Sequence, residues 1–394
     1  MKAKFKKKVS EVTPFMLVAS LIAVMFSFFL SSMFLAAALL MSLVIFDYRK
    51  FTYKNLFYWG LISTPFLLIL FSSFFSYDIA TSTKQVVKRV PLLLVPFIVI
   101  QCGSLTKIKL VHLLFFFGVG CSFANLYGII NGIIFSFRTG SFFDPNHLFY
   151  FYTIQHVYLA TFNVFVLFGS LFYYSSFQMK NLKTIIVLVN IINMVSFLLL
   201  SSKMALGILV ISLILFFYLK FSFRKASFVI FVLILILSSL IFNFFPAFLA
   251  RFSDFMGGDE PRLVIWKCVW EQISLNSYIN FTPIGDFQTK LDYCYYSELY
   301  KFSLEGFNTH NLYLEIWLVS GLFGLITYFI TQFLVFREAI RSKGYFLKFL
   351  MIIIFLFGIT ESIFERQYGI LFYSVFLSLF VFNNVNRSLN MVER

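Results

Sequence analysis

The chain has 394 residues, 60% of them hydrophobic and only 12% charged, with a formal charge of +15 and a mean hydropathy of +0.88. No soluble core of this length needs so much apolar surface, and the apolar residues run continuously over about 17–25 positions, the length that crosses a bilayer as a helix. That continuity argues against a β-barrel, whose strands alternate. The positive charge has its usual origin in cytoplasmic loops and calls for no nucleic acid.

In chain order, the basic start MKAKFKKK leads into apolar sequence that continues to about Phe46. A cleaved signal peptide would have a shorter apolar region followed by polar sequence; here apolar residues run on past Ser31 and Ser32, so two anchors joined by a tight turn are expected. Spans follow at roughly 14–30, 32–46, 55–76, 90–101, 110–136, 157–175, 184–201, 204–219, 227–248, 313–336, 347–361 and 368–382. The fold class is therefore an all-α polytopic membrane protein of about twelve transmembrane helices. Residues 1–249 hold nine spans, 250–312 a large outer loop, and 313–394 the last three spans and a cytoplasmic tail.

With the basic N-terminus inside, most of the 32 basic residues fall in cytoplasmic loops and both termini are cytoplasmic. The exceptions are informative: Lys84, Lys88, Arg89, Arg138, Lys203, Arg262 and Arg366 lie on the outer side, against the insertion bias. An anionic ligand at the outer surface would explain them, since an arginine fork pairs with phosphate and lysine acts as a point charge. The outer loop also holds Asp254, Asp259, Glu260, Glu271, Asp286, Asp292, Glu298 and Glu305, nearly half of the 17 carboxylates. Within it, DEPRLVIWKCVWEQISL predicts a short helix, with acidic residues favouring its N-terminal dipole and Pro261 in its first turn. Trp266, Val269, Trp270 and Ile273 recur at helical spacing, so one face is expected to lie on the membrane, with Arg262 near the headgroups.

The candidate site residues each have a plain alternative. His310, in FNTHNLYLEIWLVSGLFG, closes the outer loop and can accept a hydroxyl proton as a general base; it can equally be an interfacial helix-end residue. Arg262 can be an ordinary surface residue of an amphipathic helix. Lys203 in LLLSSKMALG either snorkels to the interface or serves a function close to the bilayer. Glu361, Glu365 and Arg366 in ITESIFERQYG can form a local ion network. No metal-ligand spacing stands out. Cys268 and Cys294 share the outer side, where a disulfide is permitted, and two free thiols are the expectation.

The ordered motifs PRLVIWKCVWEQI, PIGD and FNTHNLYLEIWLVSGLFGL, supported by IQHVYLATF, LLLSSKMALG and TESIFERQYGILF, resemble the O-antigen ligase family, in a Bacteroidetes-like form. That family shares a superfamily with polysaccharide polymerases and O-oligosaccharyltransferases. The resemblance, from about Ser76 onward, implies a glycosyltransferase C-type membrane fold with a large periplasmic loop in the inner membrane. It implies transfer of a glycan from undecaprenyl diphosphate to a lipid A-core hydroxyl, with no cofactor and no metal. His310 matches the family's histidine base and Arg262 the arginine thought to hold the diphosphate. Lys203 stands where many members have arginine, which keeps charge but loses the fork. Lys88 and Arg89 match a basic pair, and Asn311, His156, Glu361 and Arg366 stand as supporting positions. A polymerase on the same carrier, a protein O-oligosaccharyltransferase and a lipid-linked glycan transporter are the alternatives; charges at outer ends and the absence of inverted repeats speak against transport.

Overall fold

A computed structural model describes residues 2–139, 154–173, 180–200, 202–220, 261–277, 279–297, 304–341 and 345–392. Among them there is no strand. The helices are α1 (Lys2–Ala23), α2 (Phe28–Val44), α3 (Tyr53–Ser73), α4 (Ile79–Arg89), α5 (Pro91–Cys102), α6 (Lys107–Thr139), α7 (His156–Tyr173), α8 (Lys180–Leu200), α9 (Lys203–Lys220), α10 (Pro261–Leu275), α11 (Phe287–Ser297), α12 (Leu312–Arg341), α13 (Tyr345–Thr360) and α14 (Gln367–Val392). Among the described residues, seven stretches are long and apolar enough to cross a membrane, α4 and α5 counting together, and three shorter apolar helices accompany them. Large apolar side chains such as Phe29, Phe71, Phe123, Phe323 and Phe333 are exposed, as lipid-facing residues would be. The chain is an all-α polytopic membrane protein. The expected span at 227–248 and His147 lie outside the described residues.

The chain divides into two units, Met1–Leu113 with Pro261–Arg394, and Leu114–Glu260. In the first, α1 and α2 pack through a reciprocal serine pair: Ser20 Oγ donates to the Ser31 carbonyl at 2.8 Å and Ser31 Oγ to the Ser20 carbonyl at 2.9 Å. Such small polar residues allow close approach of two helices. Proline in α5 creates another tie. Pro96 has no N–H for the Leu92 carbonyl, and Ser63 Oγ of α3 donates to that carbonyl instead, at 3.1 Å. Tyr58 of α3 donates to Glu338 of α12 at 2.9 Å.

Two turns fix the segment between α10 and α12 to this frame. In PIGD, the Ile284 N–H donates to Ser72 Oγ at 3.0 Å, and Asp286 accepts from the Tyr77 and Asp78 N–H groups at 3.2 and 3.1 Å. Further on, Gly321 breaks α12 with φ 67° and ψ −178°. The break takes the Leu318 carbonyl out of the helical ladder, and Thr282 N–H donates to it at 2.7 Å. The Ile279 carbonyl packs where a side chain at 321 would project.

The loop helix differs from expectation in two ways. Val269 and Ile273 do not lie on a membrane face: with Val264, Ile265 and Cys268 they form a core against Ile284, Phe287, Leu291 and Val319. Burial against α11 and α12 competes with lipid for the same apolar stripe, and the protein wins. Trp270 stays half exposed, edge-on to Trp317 at 5.6 Å. Cys268 and Cys294 are not free thiols but a disulfide linking α10 to α11, with Cα atoms 5.8 Å apart. The 26-residue separation hides this proximity in the sequence; the helical hairpin creates it.

In the second unit, α6, α7 and α8 share a buried amide cluster. Asn125 donates to Asn163 and to Asn193 at 2.9 Å each, and Ser122 Oγ lies 3.0 Å from Asn193 Oδ1. Hydrogen bonds of this kind hold helices together where lipid supplies no hydrophobic drive.

Candidate active site

The turn that precedes α12 is assembled almost entirely from its own side chains. Asn311 Oδ1 accepts from the Tyr313 and Leu314 N–H groups, both at 3.0 Å, and so caps α12. Thr309 is fully buried; its hydroxyl donates to the Asn311 carbonyl at 2.9 Å and lies 2.8 Å from Ser362 Oγ. Trp266 of α10 donates its indole N–H to the Thr309 carbonyl at 3.1 Å. Between these fixed neighbours, His310 adopts φ 44°, a left-handed conformation unusual for a residue with a side chain. Asn308 Oδ1 accepts its N–H at 3.0 Å. A held, strained backbone at a histidine is what a positioned reactive group requires.

His310 meets its neighbours through Glu361, which directly follows α13. The Glu361 carboxylate is 2% exposed. Its Oε1 accepts from Arg262 Nη2 at 3.1 Å, and its Oε2 lies 3.4 Å from His310 Nδ1. That last pair is not aligned as a hydrogen bond, and Nδ1 is buried without a partner among the described residues. Arg262, in the first turn of α10, is 27% exposed. Phe307 packs against the imidazole with ring centroids 5.8 Å apart.

A second, deeper network lies on the same elements. Arg89, at the end of α4, is fully buried. It pairs with Glu315 of α12 at 3.0 Å and with Glu365 of the single turn Ile363–Glu365, and donates to Gln85 Oε1 at 2.6 Å. Lys88 Nζ pairs with Glu365 at 2.8 Å. Burial, the largest single influence, pushes the Glu365 carboxyl up, but Arg89 and Lys88 together outweigh it and hold it below the ordinary carboxylate range. Two cations and two carboxylates thus neutralise one another inside the unit, the arrangement burial of charge demands.

The first unit brings together Lys88, Arg89, Arg262, His310, Asn311 and Glu361. Arg366 ends the single turn and is exposed, with no ion pair among the described residues. Lys203 and His156 belong to the second unit, each at the first position of its helix. The cations Lys88, Arg89 and Arg262 have carboxylate partners within the protein, which sequence reasoning did not supply. Glu361 and Glu365 form no network with each other along one helix; each reaches a different element. Glu315 escaped notice in the sequence, although an acidic residue inside the apolar run NLYLEIWL is itself a signal. The group Cys268, Glu271 and Cys294 has metal-ligand proximity, but the disulfide takes both sulfurs.

Beside the turn, an apolar groove between α12 and α13 is lined by Tyr313, Tyr328, Phe329, Phe333, Met351 and Phe355. Tyr313 closes its end by donating to the Phe355 carbonyl at 2.7 Å. The site therefore joins a polar, partly exposed pair of Arg262 and His310 to a lipid-like cleft one helical turn away. Such a site can neutralise an anionic group, accept a proton and shelter a chain.

No curated protein matches the chain at a meaningful level. A family model described as O-antigen ligase matches residues 185–329, a segment that contains α10, the PIGD turn and the His310 turn. Over that segment the chain is similar to the O-antigen ligase family, whose members are glycosyltransferase-like enzymes.

Proposed function

We propose that this protein is an O-antigen ligase of the inner membrane. It transfers a glycan from undecaprenyl diphosphate to a hydroxyl of lipid A-core at the periplasmic face, with both termini in the cytoplasm. The observation that carries this reading is the convergence of Arg262 and His310, both inside the segment that matches the family, on the carboxylate of Glu361. In the reaction, His310 takes the acceptor hydroxyl proton while the oxygen bonds to the anomeric carbon. The bond from that carbon to the diphosphate breaks, and its electron pair leaves on the diphosphate oxygen. Arg262, partly exposed at the start of α10, stabilises the charge that develops there. Attack opposite the leaving group inverts the anomeric carbon. The diphosphate is already an activated leaving group, so no organic cofactor is required. Arg89 is enclosed by its carboxylates and supports the site, while Lys88 is 29% exposed and available to the donor. The groove beside Tyr313 suits an isoprenyl chain.

Glycan analysis of a deletion strain tests the reading. Loss of all long glycan from lipopolysaccharide, with polymer accumulating on the carrier, is the expected result, and a His310→Ala chain should fail to restore transfer while remaining in the membrane. Retention of single-repeat lipopolysaccharide would identify a polymerase, and loss of glycoprotein staining a protein transferase. Full activity of the His310→Ala chain would remove the assignment of the base.

A further inference from the structure

We propose that Glu361 is the positioning residue of His310, and that arrival of the donor diphosphate at Arg262 releases Glu361 to take up that role. The inference rests on the reading of His310 as base and Arg262 as diphosphate contact. Its physical basis is a carboxylate with two competing partners. Glu361 Oε1 accepts from Arg262 at 3.1 Å, whereas Oε2 stands 3.4 Å from His310 Nδ1 without an aligned bond. The ring nitrogen is buried and unpaired, which is costly, so a paired arrangement a few tenths of an ångström away is favoured once the carboxylate is free.

The histidine cannot easily make that move itself. Asn308 and the buried Thr309, together with the capping Asn311, fix its backbone at φ 44°. The carboxylate, at the junction after α13, is the partner that can turn. Arg262 is the one group of the three with substantial exposure, so an incoming diphosphate meets it first. A phosphate group offers the guanidinium fork paired acceptors and more charge than the single oxygen it now holds. As Arg262 turns to the donor, Glu361 loses its cation and accepts from His310 Nδ1–H.

Two effects follow. The Nδ1–H tautomer is fixed, which leaves Nε2 with the lone pair for the acceptor hydroxyl, and the adjacent carboxylate stabilises the imidazolium that forms as the proton is taken up. During transfer the hydroxyl proton passes to Nε2, and the resulting imidazolium keeps Nδ1–H on Glu361, which stays ionised. The Nε2 proton is then lost to water. The base is thereby strengthened only when the donor is in place.

The charged groups that face Glu361 are Arg262 from α10 and His310 from the turn before α12. Those elsewhere on the packed elements are Lys267 and Glu271 on α10, Glu315, Arg337, Glu338 and Arg341 on α12, Lys348 on α13, Glu365 and Arg366 after Glu361, and Lys84, Lys88 and Arg89 on α4.

The test uses the full chain in proteoliposomes, with lipid-linked glycan and lipopolysaccharide extracted from the deletion strain as donor and acceptor. Glu361→Gln should lower kcat by about 10- to 100-fold. Its donor KM should be unchanged or lower, because Arg262 no longer has a carboxylate to leave. The loss should appear in kcat, which reports the donor-bound enzyme, because Glu361 serves His310 only when the donor is in place. Glu361→Asp should restore part of kcat. A wild-type kcat in Glu361→Gln would overturn the proposal, as would loss of folded protein in both variants with unchanged kcat per folded molecule. The His310→Ala control separates the two levels. An active His310→Ala overturns the functional reading itself. An inactive one beside a wild-type-like Glu361→Gln overturns only the role of Glu361.

Discussion

Replacing Gly321 by alanine tests the way the outer loop is fixed to α12. At φ 67° and ψ −178° the backbone sits in a region essentially reserved for glycine, and forcing a residue with a Cβ into it costs about 1–3 kcal/mol. The added Cβ also points at the Ile279 carbonyl, a backbone atom that cannot rotate aside. Moving that strand of loop endangers the bond from Thr282 N–H to the Leu318 carbonyl, whose buried partners would lose about 1–3 kcal/mol if left unpaired. Together these give a destabilisation on the order of 2–5 kcal/mol. Gly60→Ala is the matched control: it lies within α3 with open space around the added carbon, so it should be neutral or stabilise by up to about 1 kcal/mol. Thermal unfolding of the detergent-solubilised chain, followed by tryptophan fluorescence, reads the difference. The Gly321→Ala midpoint should fall several degrees below that of Gly60→Ala, with transfer activity falling in step. A Gly321→Ala midpoint equal to or above the control would refute the docking of the loop at the kink.

Arg89→Met leaves Glu315 and Glu365 buried with Lys88 as their only cation, and should cost about 3–5 kcal/mol. Adding Glu315→Met should recover part of that loss in the same thermal assay; no recovery would show that the pairing is not what the variant removes. The Cys268–Cys294 bridge closes a loop with a separation of 26 residues. Replacing both cysteines by alanine should therefore destabilise by about 3 kcal/mol and abolish the effect of reductant on the midpoint. A midpoint equally insensitive to reductant in the native chain would count against the bridge.

Span positions were legible because hydropathy depends on composition along the chain, and the same holds for the helix opening at Pro261. His310 and Arg262 stood out through their place at the boundaries of the outer loop. Their common partner did not, because Glu361 lies 99 residues from Arg262 and only the fold brings them together. The same reason hid the partners of Arg89, which are 226 and 276 residues away. Charge placement marked where polar groups gather; it could not say which of them cancel one another. The apolar stripe of α10 shows the converse limit. Spacing established that a face is buried, but membrane and protein interior impose the same pattern, and only the packed structure distinguishes them.

The long reach of the Arg89 pairs has a consequence for biosynthesis. The segment Ile79–Cys102 leaves the ribosome long before Glu315 and Glu365 exist, so during that interval its guanidinium has neither of its carboxylates. A cation in that state is expensive within lipid and is held at the water interface or by the insertion machinery. The first unit can seat α4 fully only after the 276 residues from Arg89 to Glu365 have been made. Synthesis of the turn that carries Glu365, rather than the insertion of any single span, then becomes the event that lets this network assemble.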